Sequence, residues 1–205
     1  MNTVAIGDVH GCYTLLKETI KPLIGTQSEV VFLGDLIDRS PESEGDLKVL
    51  RFVNYLERYP HDFGLSKVIV LSGNHEQLLI NALEDGIESS AFNLWIFNGG
   101  NPLFYKQAGG YLDWLKARPF YYLKNPVLFV HAGVRPNVPL KDQSINDLIW
   151  IREPFLNTED HGLPYYIVHG HTIVPDIDAT PYRINIDTGA FHTGQLSTVE
   201  LTIPS

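Results

Sequence analysis

Short runs of β-branched and aliphatic residues recur along the chain, and each is followed at once by a turn rich in glycine and polar residues. Short apolar runs bounded by turn signals are typical of buried strands. The runs are Val4–Ile6, Val30–Leu33, Val68–Leu71, Val127–Val130, Tyr166–Val168, Arg183–Ile186 and Leu196–Leu201. The repetition predicts a protein built on β-sheet.

Helical periodicity fills the gaps between the first runs. Apolar residues at near-helical spacing predict helices at Tyr13–Ile20, Glu44–Tyr59 and Glu76–Leu83. The resulting βαβαβα order implies right-handed crossovers and a largely parallel sheet. Towards the end of the chain strands follow one another without helices, which predicts an antiparallel part and a second sheet. The aromatic and glycine-rich stretch at about 85–125 is expected to form a helical or looped cap.

The composition narrows the class of protein. The chain has 205 residues, which predicts a single domain over 1–205, and 24 acidic against 15 basic residues give a formal charge of −9. This balance argues against nucleic acid or a membrane surface as a partner. The one cysteine, Cys12, excludes a disulfide framework, and neither a signal peptide nor a membrane span is visible. We expect a cytoplasmic monomer.

Acidic, amide and imidazole side chains stand just past five of the predicted strands. They are Asp8 and His10, Asp35 and Asp38, Asn74 and His75, His131, and His169 and His171. In open α/β sheets the carboxyl ends of strands are where ligands bind. Oxygen and imidazole donors without thiolates suit Mn, Fe, Zn, Co or Mg. The set exceeds the needs of one tetrahedral zinc, and suits two metals about 3.5–4 Å apart that share a carboxylate.

These residues fall in motifs whose order resembles a known family. Gly7-Asp8-Val9-His10-Gly11, Gly34-Asp35 with Asp38-Arg39, Gly73-Asn74-His75-Glu76, His131-Ala132-Gly133 and Gly170-His171 are similar to the successive motifs of the calcineurin-like metallophosphoesterases. The closest likeness is to the phosphoprotein phosphatase branch in its compact bacterial and phage form. The resemblance runs from residue 7 to about 190. It implies a four-layer α/β sandwich, with two mixed β-sheets flanked by helices and a small cap region.

The resemblance also implies a role for each matching residue. Asp8, His10 and Asp35 would hold the first of two divalent ions. Asp35, Asn74, His131 and His171 would hold the second, so that Asp35 bridges the pair. Manganese is the expected metal, with iron, zinc, cobalt or magnesium as alternatives. His75 would be the general acid, paired with Asp38, and Arg39 and Arg152 would bind the phosphate.

The physical chemistry of such a site is consistent with phosphoester hydrolysis. Two divalent ions would outweigh the local carboxylates and lower the pKa of bound water towards ~7, so that a metal-bridging hydroxide attacks phosphorus in line. The arginines offer bidentate recognition of phosphate oxygens. We expect Asp38 to raise the pKa of His75, which would protonate the leaving oxygen. No phosphoenzyme is required.

The sequence leaves the substrate open. The leading hypothesis is a phosphatase for phosphoserine, phosphothreonine or phosphotyrosine in proteins, because the short cap favours an open cleft. The alternative is hydrolysis of dinucleoside polyphosphates, such as diadenosine tetraphosphate, or of phosphodiesters at the same site. A remote alternative is a binding module without catalysis, against which the intact His75 and Asp38 argue. Roles for His169, Arg135 and Cys12 are not determined by the sequence.

Overall fold

The computed structural model describes residues 2–203, which form nine strands and eight α-helices. The strands are β1 Asn2–Ile6, β2 Glu29–Phe32, β3 Lys67–Val70, β4 Tyr121–Lys124, β5 Val127–Val130, β6 Tyr166–His169, β7 Asp178–Ala179, β8 Arg183–Asn185 and β9 Thr198–Thr202. The helices are α1 Tyr13–Ile20, α2 Gly45–Arg58, α3 Asn74–Asp85, α4 Ser90–Phe97, α5 Pro102–Ala108, α6 Leu112–Lys116, α7 Ile145–Trp150 and α8 Ala190–Thr193.

The first sheet has the strand order β3-β2-β1-β9. Strands β1, β2 and β3 are parallel, as the alternation of strands and helices predicts, and α1 and α2 form the crossovers. Helix α3 begins at Asn74, earlier than the apolar spacing predicts, so the Gly73-Asn74-His75-Glu76 motif forms its first turn. The last strand, β9, returns to this sheet and pairs antiparallel with β1.

The second sheet has the order β4-β5-β6-β8-β7. Its three central strands, β5, β6 and β8, are parallel, and only the edge strands β4 and β7 run antiparallel to their neighbours. The expected second sheet is therefore present, and the expected antiparallel pairing occurs in β7–β8 and in β9–β1, while the centre of the second sheet is parallel. The crossovers between the central strands are mostly irregular, so they carry little of the helical periodicity by which a parallel connection is detected in sequence.

Alternate residues of each strand enter different apolar layers. In β2, Val30 and Phe32 pack under the helices, whereas Val31 faces the other way and packs against the second sheet. In β5, Phe129 faces the first sheet and Leu128 packs on the opposite side, where α7 lies. Helices, sheet, sheet and helices thus form successive layers, which confirms the predicted fold class.

The stretch from about 85 to 125 begins with the helices α4, α5 and α6. Trp95, Phe104 and Leu115 are buried in the apolar layer under the first sheet, so these helices are anchored in the core. The end of the stretch differs from the expected cap, because Tyr121–Lys124 forms the edge strand β4. None of the helices within residues 2–203 combines the length and hydrophobicity needed to cross a bilayer.

Candidate metal centre

The carboxyl ends of strands from both sheets meet at one place. Asp8, Asp35 and Asn74 follow β1, β2 and β3 of the first sheet, while His131 and His171 follow β5 and β6 of the second. The six predicted metal ligands (Asp8, His10, Asp35, Asn74, His131 and His171) are all buried, with exposures of 8% or less. Buried polar groups need partners, and these residues find most of theirs in one another.

Asp35 lies at the middle of the cluster. Its Oδ2 atom is 3.7 Å from His10 Nε2 and 3.9 Å from His75 Nε2, and its Oδ1 atom is 3.4 Å from His131 Nε2. Each carboxylate oxygen therefore faces a different set of imidazoles. This is the arrangement expected of a carboxylate that is shared between two cations.

Asn74 and His171 lie with His131 on the Oδ1 side of Asp35. The Asn74 side-chain oxygen is 2.9 Å from both His131 Nε2 and His171 Nδ1. Asp8 connects to the same group, because the backbone N–H of His171 donates to its Oδ2 atom at 3.1 Å. The structure thus brings together all of the residues that the resemblance assigns to the metals.

Backbone carbonyls orient two of the imidazole rings. His10 Nδ1 donates to the carbonyl oxygen of Ile37 at 2.9 Å, and His131 Nδ1 donates to that of Leu33 at 3.1 Å. A ring that donates through Nδ1 keeps a lone pair on Nε2 when neutral. Both Nε2 atoms face Asp35, so both rings are held in the tautomer that a metal needs.

Burial shifts the pKa values of the cluster in opposite directions. Desolvation lowers the pKa of His131 to about 3 and that of His171 to about 2 in the ion-free protein. Both imidazoles are therefore neutral at ordinary pH, which is the metal-binding form. Desolvation raises the pKa values of Asp8 and Asp35, and the neighbouring Asp187 carboxylate adds to the rise at Asp8. A bound cation would reverse that penalty.

Strained backbone is concentrated at the same place. His10, Asp35, Asp38, Arg39 and His171 all have φ between 45° and 68°, the left-handed region that side chains rarely adopt. Each such residue costs about 1–3 kcal/mol, and clusters of them mark functional sites. Two glycines make room for the carboxylates, since an added Cβ would lie 2.2 Å from Asp35 Oδ1 at Gly73 and 2.1 Å from Asp8 Oδ1 at Gly170.

His75 is held by a buried pair of partners. Its Nδ1 atom donates to Asp38 Oδ2 at 2.7 Å, and Trp95 Nε1 donates to both Asp38 oxygens at 2.9 and 3.0 Å. The Nε2 atom of His75 is buried and has no hydrogen-bond partner in the described structure. The expectation that Asp38 raises the pKa of His75 is not met. Burial outweighs the neighbouring carboxylates and lowers that pKa.

The two candidate phosphate-binding arginines flank the cluster. Arg39 is exposed, and its Nη1 atom donates to His10 Nε2 at 3.3 Å. Arg152 is exposed just after α7, and its positive charge opposes the burial-driven rise in the pKa of Asp35 and adds to the burial-driven fall in the pKa values of His131 and His171. Both guanidinium groups are therefore near the buried candidate metal ligands and accessible from solvent.

The donor set fits divalent cations. Two groups of residues each bring their candidate ligand atoms within 4.8 Å of one another. One group is His10, Asp35 and His75, and the other is Asp35, His131 and His171. All donors are oxygen or imidazole nitrogen. The first group contains His75, to which the resemblance gives the role of general acid. Its geometry therefore permits two roles, metal ligand and proton donor.

Glu76 is a structural residue of the site to which the sequence analysis assigns no role. Its carboxylate accepts from the backbone N–H groups of Asp35, Leu36 and Gly73, each at 2.8 Å. It thereby ties the turn after β2 to the turn after β3. The sequence could have predicted this role, because an acidic residue at the third position of a helix commonly accepts hydrogen bonds from the backbone at the helix N-terminus.

The structure locates the three residues whose roles the sequence leaves open. Arg135 pairs with Asp147 of α7, its Nε atom lying 3.0 Å from Oδ2. His169 is fully buried behind the site, where its ring packs against Phe155. Cys12 is buried, and desolvation raises the pKa of its thiol to about 11, so it stays protonated.

Comparison with known proteins decides the family. The family model described as calcineurin-like phosphoesterase matches residues 1–192. The chain belongs to this family. The resemblance inferred from the motifs is therefore confirmed.

The relatives of this phosphoesterase carry two kinds of description. The symmetrical bis(5'-nucleosyl)-tetraphosphatase of Janthinobacterium sp. (strain Marseille) is 28% identical over 138 residues, which cover 66% of this chain and 45% of that protein. The serine/threonine-protein phosphatase 1 of Salmonella typhimurium is 35% identical over 98 residues, covering 47% and 38% respectively. The matched segments thus span less than half of either relative.

Solved structures share the fold of this phosphoesterase. A mutant of a cold-active protein tyrosine phosphatase superposes with a TM-score of 0.68 at 21% identity, over 98% of this chain and 75% of the other. A metallophosphoesterase from Sphaerobacter thermophilus gives 0.58 at 16% identity, over 98% and 84%. At such identities the likeness concerns architecture alone.

Proposed function

We propose that the chain is a two-metal phosphohydrolase that cleaves a phosphoanhydride bond of dinucleoside polyphosphates. The catalytic part of the proposal is carried by the position of Asp35, because its two carboxylate oxygens face separate groups of imidazoles. The choice of dinucleoside polyphosphates as substrates is supported by the relatives named as tetraphosphatases.

Asp8, His10 and Asp35 would hold one divalent ion, and Asp35, Asn74, His131 and His171 would hold the other. Manganese is the expected ion for this set of oxygen and nitrogen donors. Bound there, the ions would neutralise phosphate charge and generate a water-derived nucleophile at neutral pH. The chain's contribution is to keep the donors buried and oriented, and the imidazoles of His131 and His171 neutral.

His75 is the proposed general acid. Its Nδ1–H is engaged by Asp38, so a proton that the ring passes on has to be taken up at Nε2, an atom that no hydrogen-bonding group within residues 2–203 occupies. A proton held at this atom can pass to the leaving oxygen of a phosphoester. Asp38 accepts the hydrogen bond from Nδ1 and so fixes the orientation of the ring, and Trp95 in turn fixes Asp38.

Arg39 and Arg152 are the proposed phosphate-binding residues. Guanidinium groups bind phosphate oxygens in pairs and stabilise the additional charge of the transition state. Their exposure allows a substrate to reach them from solvent, whereas the metal ligands behind them are buried.

The relatives favour the nucleotide alternative over the phosphoprotein substrate that the sequence analysis places first. Tetraphosphatases such as those of Janthinobacterium and Buchnera aphidicola align with 66% of this chain, whereas the Salmonella protein phosphatase aligns with 47%. Phosphoprotein hydrolysis remains the second candidate function, because the Salmonella alignment has 35% identity.

A side-by-side assay tests the proposal. The purified chain, loaded with Mn²⁺, is given diadenosine tetraphosphate and, separately, phosphoserine and phosphotyrosine peptides. We expect a higher kcat/KM for the dinucleotide and loss of all activity with a chelator. A preference for the peptides would establish the second candidate, and inactivity with every substrate and divalent metal would refute the hydrolase assignment.

A further inference from the structure

Phe97, the last residue of α4, is the most exposed large hydrophobic side chain within residues 2–203, with an exposure of 87%. The neighbouring rings of Phe92, Trp95 and Tyr105 pack on one another. The core layer beneath α4 is thus complete without Phe97. Its ring is available to a molecule outside the chain.

The turn that follows Phe97 is bound to Arg39. The carbonyl oxygen of Asn98 accepts from Arg39 Nε at 3.3 Å, and that of Gly99 accepts from the backbone N–H of Arg39 at 3.1 Å. Gly99 has φ of 104°, and an added Cβ would lie 2.7 Å from Arg39 Cγ. Phe97 is therefore one peptide unit, about 3.8 Å between Cα atoms, from a residue in contact with the proposed phosphate-binding arginine.

A second aromatic ring touches the same arginine. The guanidinium carbon of Arg39 is 5.4 Å from the ring centre of Phe191 in α8, and that ring also meets His10 edge-on at 5.1 Å between centres. The guanidinium is thus in contact with both the turn after Phe97 and the ring of Phe191.

We infer that Phe97, together with Phe191, forms a subsite for a nucleobase of the substrate. The inference rests on the proposed function and identifies the part of the chain that would recognise the nucleoside. A dinucleoside polyphosphate carries a base at each end of its phosphate chain, so binding of that chain by Arg39 would bring one base towards the ring next to Asn98. Nucleobases are flat and uncharged, so they stack on aromatic side chains without opposition from the net charge of −9. Phosphoserine and phosphothreonine have no ring that could use such a surface.

The test compares ligands with and without a base. Phe97→Ala, Phe97→Trp and, as the matched control, Leu94→Ala on the same helix are assayed in the Mn²⁺-loaded protein. We measure kcat and KM for diadenosine tetraphosphate, and inhibition constants for ADP and inorganic phosphate with an aryl phosphate as the reporter substrate. Leu94 is also exposed, at 52%, so its truncation removes a similar apolar surface.

We expect Phe97→Ala to lower kcat/KM for the dinucleotide by about 5- to 100-fold, mainly through KM, and to weaken ADP inhibition by a similar factor. Inhibition by phosphate should not change, Phe97→Trp should retain the wild-type values, and Leu94→Ala should behave as wild type. Equal weakening of ADP and phosphate would mean that Phe97 only positions Arg39, and would overturn the inference.

Unchanged constants in Phe97→Ala would overturn the inference as well, and so would a loss confined to phosphotyrosine peptides. Failure of the wild-type protein to cleave the dinucleotide would refute the proposed function instead. In that case the ADP and phosphate constants still decide whether a base binds beside Phe97, so the two failures are distinguishable.

Discussion

At the scale of single residues, the two polar atoms of the Asp35 side chain have different partners, and so do the two ring nitrogens of His75. Asp35 presents one oxygen to His10 and His75 and the other to His131. His75 presents Nδ1 to Asp38, and among residues 2–203 its Nε2 atom has no hydrogen-bond partner. Metal content and kcat of variants at these two positions therefore distinguish a metal ligand from a proton donor.

Replacement of Asp35 should affect both ions, whereas replacement of Asp8 should affect one. We expect Asp35→Asn to reduce bound Mn²⁺ from about two equivalents to near zero, and Asp8→Asn to leave about half of it. Equilibrium dialysis followed by elemental analysis measures this, with the exposed Asp113→Asn as the control. Equal losses in the two site variants would argue that Asp35 does not bridge.

Replacement of His75 should slow the reaction without removing metal. We expect His75→Asn to lower kcat by on the order of 10²- to 10⁴-fold, since it removes a positioned proton donor. Metal content, measured on the same preparation, should stay at the wild-type level. If metal is lost too, His75 is a ligand, as its grouping with His10 and Asp35 would permit.

At the scale of secondary structure, two elements support the site from outside the sheets. Helix α4 supplies Trp95, which donates to Asp38. Helix α7 leads directly to Arg152 and packs Trp150 edge-on against His171, with 5.8 Å between ring centres. The stretch at about 85–125 is thereby connected to proposed catalytic residues as well as to the core.

Removal of the Trp95 donor should cost both stability and activity. We expect Trp95→Phe to lower the free energy of unfolding by about 1–3 kcal/mol, because a buried carboxylate loses a hydrogen bond, and to lower kcat. Urea denaturation and steady-state kinetics measure the two effects. Trp114→Phe is the matched control, since Trp114 donates to Glu57 and should lose stability alone. An unchanged kcat in Trp95→Phe would contradict the connection.

The pair Arg135–Asp147 should stabilise α7 in a pH-dependent manner. Hydrogen bonding to Arg135 lowers the pKa of Asp147. The stabilisation is therefore full above the unfolded value near ~3.9 and is lost as pH falls through the lower folded value. Arg135 is half exposed, so Asp147→Asn should cost less than about 1 kcal/mol at pH 7.

Urea denaturation at pH 7 and pH 3 measures this dependence. The difference between Asp147→Asn and the wild type should shrink at the lower pH, and the exposed Asp142→Asn on the preceding turn should show no difference at either pH. A deficit in Asp147→Asn that is as large at pH 3 as at pH 7 would assign the effect to packing instead of to the ion pair.

At the scale of the whole molecule, the candidate ligands come from both sheets. Asp8, Asp35 and Asn74 belong to the first and His131 and His171 to the second, so cations bound between them would link the two halves of the sandwich. Binding to the folded state alone must then stabilise the entire fold.

Manganese should therefore raise the melting temperature. At 100 times the dissociation constant the gain is about 2.7 kcal/mol, or roughly 5–10 °C for a chain of this size. Differential scanning fluorimetry with and without a chelator measures it, and Asp35→Asn should not respond. An equal rise in Asp35→Asn would show that the metal acts elsewhere on the protein.

The sequence by itself determined the alternation of strands and helices, the family and the residues of the candidate site. Those features are local, because apolar runs, glycine turns and the motifs after each strand are read within a few residues. The periodicity did not indicate which strands of the second sheet are parallel, since its crossovers lack helical periodicity.

Only the tertiary structure decided which atoms meet. The division of the Asp35 oxygens, the bonds from Trp95 to Asp38 and the contacts between Arg39 and the turn after Phe97 join residues far apart in the chain. Burial also reversed the expected pKa shift of His75. The physical reason is common to all of them: distance, direction and desolvation depend on how the layers pack, and no local pattern carries that information.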